Sequence, residues 1–213
     1  MDEQWSEHKS KERQSQNFVK TVLELSGYKI MDYGIETHNM DIVKEIKKTY
    51  KTKTNNRLLS MPDYVVVDPD TKEAELIEVK YRSQEYFNWK KTTFLFGYRN
   101  ISNYIDYWID ATLIIVMEVK PYCLCVRVRD IDWNYHFKEK KETSKGIHDE
   151  VWNFSGIYRI INEVFPRITD KYFMKALYLS KLKPENKSDK IKETKKKITK
   201  KESEKIGDSP PVV

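Results

Sequence analysis

The chain has 213 residues, of which 39% are hydrophobic and 34% charged; this is too apolar for wholesale disorder and too polar for a membrane protein. The size suggests one domain, or a domain with an appendage. The net charge of +6 sits mostly in the tail: from Lys181 onward eleven Lys face six Asp or Glu, leaving about +1 for the first 180 residues. The overall basicity is therefore no argument that the folded part binds a polyanion.

The N-terminus, MDEQWSEHKSKERQ, is charged throughout and has no apolar stretch of the secretory kind, so an intracellular place, cytoplasmic or nucleoid/nuclear, is expected. From Glu12 to Ser26, Phe18, Val19, Val22, Leu23 and Leu25 form a helical stripe, with Gly27 at the expected stop. A first strand is expected over Tyr28 to Tyr33. A second helix is expected over Asp41 to Tyr50, where Ile42, Val43, Ile46 and Tyr50 share a face, and Lys51 to Arg57 reads as polar loop. Tyr64 to Val67, the turn Asp68 to Lys72 and Glu75 to Tyr81 form a hairpin.

Residues 84–110 are rich in aromatics, and Ile101, Tyr104, Ile105 and Trp108 predict a helix over Ile101 to Ile109. Ala111 to Val119 is a near-continuous apolar strand of the doubly buried kind. Its most apolar part, Ala111 to Met117, falls far short of the ~20 residues that span a bilayer. Pro121 breaks it, and Tyr122 to Val128 forms another strand. Cys123 and Cys125 lie two apart on that strand, pointing the same way, which is poor geometry for a bridge and excludes a disulfide scaffold. Further on, Trp133, Tyr135 and Phe137 alternate as one face of a strand, Lys138 to Gly146 is a charged loop, and Ile157 to Phe165 is a short helix stopped by Pro166. Beyond Lys181 the chain is Lys-rich without aromatics and ends in Pro-Pro-Val-Val, a composition of disorder.

The expected architecture is an α/β domain: a mixed β-sheet flanked by helices, because the hairpin is antiparallel and the later strand arrives through a helix. The domain division is a core over 1–130, a C-terminal helical extension packed on it over 131–180, and a disordered Lys-rich tail over 181–213.

The residues that carry chemistry are Pro62-Asp63 at the mouth of the second strand and Glu78-Val79-Lys80 inside the third. Residues two apart share a face of a strand, so Glu78 and Lys80 point together while Ile77, Val79 and Tyr81 point away. The hairpin brings Asp63 beside Glu78. Two carboxylates and an ammonium then converge, which suits a hard divalent cation with oxygen ligands and a lysine that serves a water. Alone, Glu-x-Lys reads as a surface ion pair and Pro-Asp as a turn. On adjacent strands of one hairpin, the third of them central, a catalytic reading is favoured. His38, His136 and His148 have no ligand-like spacing.

Over roughly residues 10–128 the sequence resembles the PD-(D/E)xK nuclease superfamily, through Pro62-Asp63, Glu78-x-Lys80 and their placement in an α-β-β-β-α-β order. The resemblance implies a restriction-endonuclease-like fold with an αβββαβ core. It implies that Asp63 and Glu78 bind Mg²⁺, with Mn²⁺ as a substitute, that Val79 offers its backbone carbonyl, and that Lys80 serves the water. Many members carry a helix glutamate about eleven residues before a glycine. Here that place is Gln16, counted back from Gly27, with Glu12 one turn earlier. Asn100-x-x-x-Tyr104 partly matches the Q-x-x-x-Y of RecB-like members. The expected activity is a Mg²⁺-dependent deoxyribonuclease, an endonuclease, with DNA as partner and no membrane association. Assembly as a homodimer or in a larger nucleoprotein complex is left open. Arg82, Lys90, Lys91 and Arg99, interleaved with Tyr86, Phe87, Trp89 and Tyr98, suit a strand-tracking surface together with Tyr104. The alternative is a non-catalytic nucleic-acid-binding or assembly subunit of the same fold.

Overall fold

The computed structural model describes residues 3–48, 52–83, 87–88, 92–143 and 146–182. Lys90, Lys91, Tyr86, Trp89 and the Lys-rich tail lie outside the described residues.

Helix α1 (Glu3–Leu25) starts earlier than its apolar stripe and ends where the sequence places the stop. Phe18, Val19, Val22 and Leu23 are fully buried. At the end of α1, Gly27 N–H donates to Glu24 O at 3.0 Å and Tyr28 N–H to Leu23 O at 3.1 Å. Gly27 takes φ +86°, a backbone conformation that L side chains rarely adopt, and this is what calls for glycine; the Arg167 guanidinium that a Cβ would meet at 2.9 Å is the end of a flexible side chain.

Strand β1 (Lys29–Asp32) follows, then the short helices α2 (Ile35–His38) and α3 (Met40–Lys48). The polar loop expected over Lys51 to Arg57 is corrected: Lys53–Leu59 is helix α4, started by Thr52, whose side chain accepts from Asn55 N–H. None of its residues is buried, so capping rather than an apolar stripe defines it. Strands β2 (Tyr64–Val67) and β3 (Ala74–Arg82) form the expected antiparallel hairpin, with Tyr64 opposite Ile77. Strands β4 (Phe87–Asn88) and β5 (Thr93–Gly97) precede α5 (Asn100–Tyr107), which leads to β6 (Ala111–Met117) and β7 (Cys123–Arg127).

Beyond residue 130 the sequence-based expectations need correction. Trp133–His136 is a short helix, α6, in place of the expected strand; Trp133 and Phe137 stack at 4.8 Å because they are four apart, one helical step. The charged loop expected over Lys138 to Gly146 is largely strand β8 (Phe137–Glu142), paired with β9 (His148–Asn153). An edge strand pairs through its backbone, so five exposed charged side chains do not prevent it. The helix expected over Ile157 to Phe165 shortens to α7 (Ile161–Val164) after β10 (Arg159–Ile160), and Thr169 caps α8 (Asp170–Leu179), within the expected helical extension.

The strands form two sheets, one of order β1-β2-β3-β6-β7-β10 and one of order β4-β5-β9-β8. In the larger sheet β3 and β6 are parallel and every other pair is antiparallel. One face is sealed by α1, α7 and α8 over Ile77, Val79, Ile114, Val116, Cys123 and Cys125. The other, with Leu113, Ile115, Met117, Leu124 and Val126, packs against α5 and the aromatic face of the smaller sheet. The protein is thus an α/β fold with a mixed sheet flanked by helices. Among the described residues no helix is long and apolar enough to cross a membrane.

Candidate active site

Strand β3 lies between β2 and β6, so both its edges are paired, and over Ile77 to Arg82 both its faces are covered, one by the α1 layer and the other by α5 and the second sheet. Ile77, Val79 and Tyr81 are buried toward the α1 layer. Glu78 and Lys80 project the other way, opposite Leu113 and Ile115 of β6. Their side chains are 4% and 17% exposed. This pair is the polar interruption of an apolar layer that the two-residue period predicts.

Asp63 stands just before β2. Its Oδ2 accepts from the Val79 N–H at 2.8 Å, and its Oδ1 from the Gln16 amide nitrogen at 2.8 Å. The α1 helix therefore reaches the site around the strand ends, through Gln16. As it stands this side chain donates to Asp63, so it holds the carboxylate in place. Glu78 Oε1 accepts from the Tyr104 hydroxyl at 2.5 Å and meets the Lys80 ammonium. Glu78 Oε2 is buried with no hydrogen-bond partner among the described residues. Tyr104 comes from α5, which packs over this face; the Lys80 nitrogen lies 5.8 Å from its ring centre.

The electrostatics follow from crowding in a dry place. Burial, and then the neighbouring Glu78 charge, push the Asp63 carboxyl up to about 8; Lys80 and the Val79 N–H oppose this, and Glu12 adds to it. Burial works against a charged Lys80, but the Glu78 carboxylate, Tyr104 and Asp63 outweigh it, and the ammonium keeps its proton well above the ordinary lysine range. The Tyr104 phenol is held well above its ordinary value by burial and then by Glu78. The cluster thus offers a firm donor in Lys80, a carboxyl that titrates near neutrality, and one unmet acceptor.

The other sequence candidates separate. Arg82 is buried; its Nε donates to Leu95 O and its Nη1 to Tyr81 O, both at 2.6 Å, with the guanidinium 4.0 Å from the Phe96 ring centre. Burial lowers it to about 10. Arg82 therefore ties β3 to β5 and presents little surface to a phosphate. Arg99 is exposed at the start of α5 and stacks on Tyr98. Tyr104, expected beside nucleic acid, is buried and donates to the metal-ligand candidate Glu78.

Glu150 on β9 is a buried acid that the sequence pattern does not flag. It is fully buried, with Oε2 accepting from Trp152 Nε1 at 3.3 Å and Oε1 without a partner among the described residues. An acid in a segment that reads as polar gives no sign of burial until the second sheet is known.

No protein-family model matches the chain, nor does any curated protein or solved structure.

Proposed function

We propose that the chain is a Mg²⁺-dependent nuclease that hydrolyses DNA phosphodiester bonds at Asp63, Glu78 and Lys80, on a restriction-endonuclease-like core. The observation that carries this reading is Glu78, an almost wholly buried carboxylate with one unmet oxygen, set beside Asp63 and Lys80. Apolar residues of similar volume would serve stability as well or better than a buried ion pair. Strongly perturbed titrating groups held together at such a strand are characteristic of chemistry. The order α1, β1, β2, β3, α5, β6, with β3 and β6 parallel, supports the αβββαβ core.

The donor set fits a hard divalent cation. Among the described residues no group of three His, Cys, Asp or Glu gathers, but Mg²⁺ commonly takes one or two carboxylates and completes its shell with water and phosphate oxygens. Asp63 and Glu78 would hold it, and when bound it supplies an acidified water and polarises the phosphate. The chain's own groups do the rest. Gln16 and the Val79 N–H fix the Asp63 carboxylate, while Tyr104 fixes Glu78. Lys80, kept as an ammonium, donates and cannot accept a proton; it orients the attacking water by its oxygen and steadies charge on the phosphate. Without a cation Asp63 is pushed up to about 8; to ligate one it would give up that proton, so affinity for the cation should rise with pH.

The test is incubation of the full chain with linear, nicked, flapped and branched DNA, in Mg²⁺ or in EDTA. Cleavage in Mg²⁺ alone, lost in Lys80→Ala and in Asp63→Asn proteins that still fold, is the expected result. Cleavage by both variants at the parent rate overturns the reading.

A further inference from the structure

Outside the Asp63–Glu78–Lys80 cluster, some of the surface cations are neutralised by acids. Lys44, Lys47, Lys48, Arg129, Lys141 and Arg167 each meet a carboxylate. Arg99 and Lys140 do not: neither has an ion-pair partner among the described residues. They converge instead on one exposed ring, with the Arg99 guanidinium carbon 4.9 Å and the Lys140 nitrogen 4.5 Å from the Tyr98 ring centre. Three elements build the cluster: Tyr98 and Arg99 precede α5, Lys140 comes from β8, and His148 of β9 places its ring 6.4 Å from Tyr98. Three acids lie on the neighbouring strands. Asp149 is opposite Gly97 and Glu142 opposite His148 across the ladders, and neither pairs with Arg99 or Lys140 among the described residues; Glu150 lies opposite Lys140 but is wholly buried, and Lys140 turns to Tyr98. Hydrogen bonding from Arg99 in the first place, and then from Lys140, draws the Tyr98 phenol below its ordinary value, a sign of unspent positive charge. Arg99 also opens α5 without a side-chain cap, so the positive end of that helix adds to the same field.

We propose that Arg99 and Lys140, gathered on Tyr98, form a phosphate-binding subsite for the nucleic-acid strand that the Asp63–Glu78–Lys80 cluster cleaves. This rests on the nuclease reading for the identity of its ligand. Arg99 is the N-cap of α5, and Tyr104 of that helix holds Glu78. A strand that reached the carboxylates along α5 would meet Arg99 and Lys140, with the Tyr98 face available for stacking. The Lys140 half of the subsite comes from a segment whose sequence reads as loop.

The experiment uses the full chain and a short labelled duplex with its matching single strand. Binding is measured in EDTA over a range of salt, and cleavage separately in Mg²⁺. The Arg99→Gln/Lys140→Gln double variant should bind roughly tenfold more weakly, and its slope of log affinity against log salt should flatten by about one, the signature of a lost phosphate contact. The control is Lys171→Gln/Lys175→Gln on exposed positions of α8, the helix on the opposite face, which removes the same charge and should change affinity less than about twofold. Thermal unfolding of both variants checks the fold. Unchanged affinity and slope in Arg99→Gln/Lys140→Gln, or equal losses in both double variants, overturns the subsite; so does a parent that binds neither strand. If the parent binds through Arg99 and Lys140 yet never cleaves in Mg²⁺, the subsite stands and the nuclease reading falls. Cleavage that persists with binding indifferent to the double variant overturns the subsite and leaves the nuclease reading standing.

Discussion

On the face covered by α1 and α8, strand β3 presents Ile77, Val79 and Tyr81 to an apolar layer. On the other face the same strand presents Glu78, Lys80 and Arg82, all but Lys80 under a tenth exposed, among Leu113, Ile115, Met117 and the aromatic rings of the second sheet. A strand alternates by geometry, so nothing local forces this difference. The first face needs only volume and hydrophobicity. The second needs every charge to find a partner, and it leaves oxygens of Glu78 and Glu150 without one among the described residues. Burial therefore means opposite things on the two faces: cohesion on one, and on the other a tuned set of groups that cohesion elsewhere must hold in place.

The sharpest way to break that contrast is to remove one group from each face. Lys80→Ala should lower the rate of Mg²⁺-dependent DNA cleavage by ~10²–10³-fold, the worth of one positioned donor to developing charge, while circular dichroism stays that of the parent. A rate within a few-fold of the parent would show the polar face to be structural. Phe18→Ala on the apolar face should do the reverse. It empties a fully buried ring site that also meets Phe173 edge-on at 5.2 Å, lowering stability by ~3–5 kcal/mol. The fraction still folded at low temperature should cleave at the parent rate per molecule. Denaturant melts and active-site-normalised rates separate the two effects.

Tyr104→Phe sits between these extremes. It removes the hydroxyl that donates to Glu78 at 2.5 Å and keeps the ring. A hydrogen bond to a charged group is worth ~1.5–3 kcal/mol, and the freed carboxylate would draw closer to Lys80. Cleavage should fall by about tenfold, roughly 1.4 kcal/mol, with KM for DNA little changed. A rise in KM alone would mean that Tyr104 touches nucleic acid, the role its place in the Asn100-x-x-x-Tyr104 pattern suggests.

How far the sequence leads differs between the faces too. Phe18, Val19, Val22 and Leu23 announce their layer by period, and Gly27 its end. The hairpin with Asp63, Glu78 and Lys80 is legible because strand period and turn chemistry are both local. The smaller sheet is not. Strand β5 follows an aromatic-rich stretch without clear alternation, and β8 is five charged residues after one phenylalanine, held by the ladder to β9. Edge-strand pairing leaves no mark on side chains. Hence Lys140 and Glu150, which that sheet positions, could not be found from the sequence, and Arg82 reads as a surface cation although β5 buries it. Helix α4 shows the converse: Thr52 is a cap signal, masked by the polarity of the residues that follow.

The gentlest probe changes one charge on the polar face and asks for a gain. Asp63 has an ordinary value of 3.8 and is pushed up to about 8 in the folded chain, by burial first and Glu78 second. Between those values the folded protein keeps a proton that the unfolded chain has released. Stability should therefore fall as pH rises from about 4 toward about 8. Asp63→Asn removes the titration and keeps an acceptor for the Val79 N–H; a flipped Gln16 amide can then accept from the new Asn amide. The variant should unfold at a slightly higher temperature than the parent at pH 8, at nearly the same temperature at pH 5, and never cleave. Asp63 is only partly buried, so screening keeps the gain small. Mg²⁺ should reverse the order at pH 8, raising the parent's midpoint through a site that Asp63→Asn lacks. A parent midpoint that ignores both pH over this range and Mg²⁺ would mean that Asp63 and Glu78 do not share a cation, and the polar face would then be a costly core rather than a site.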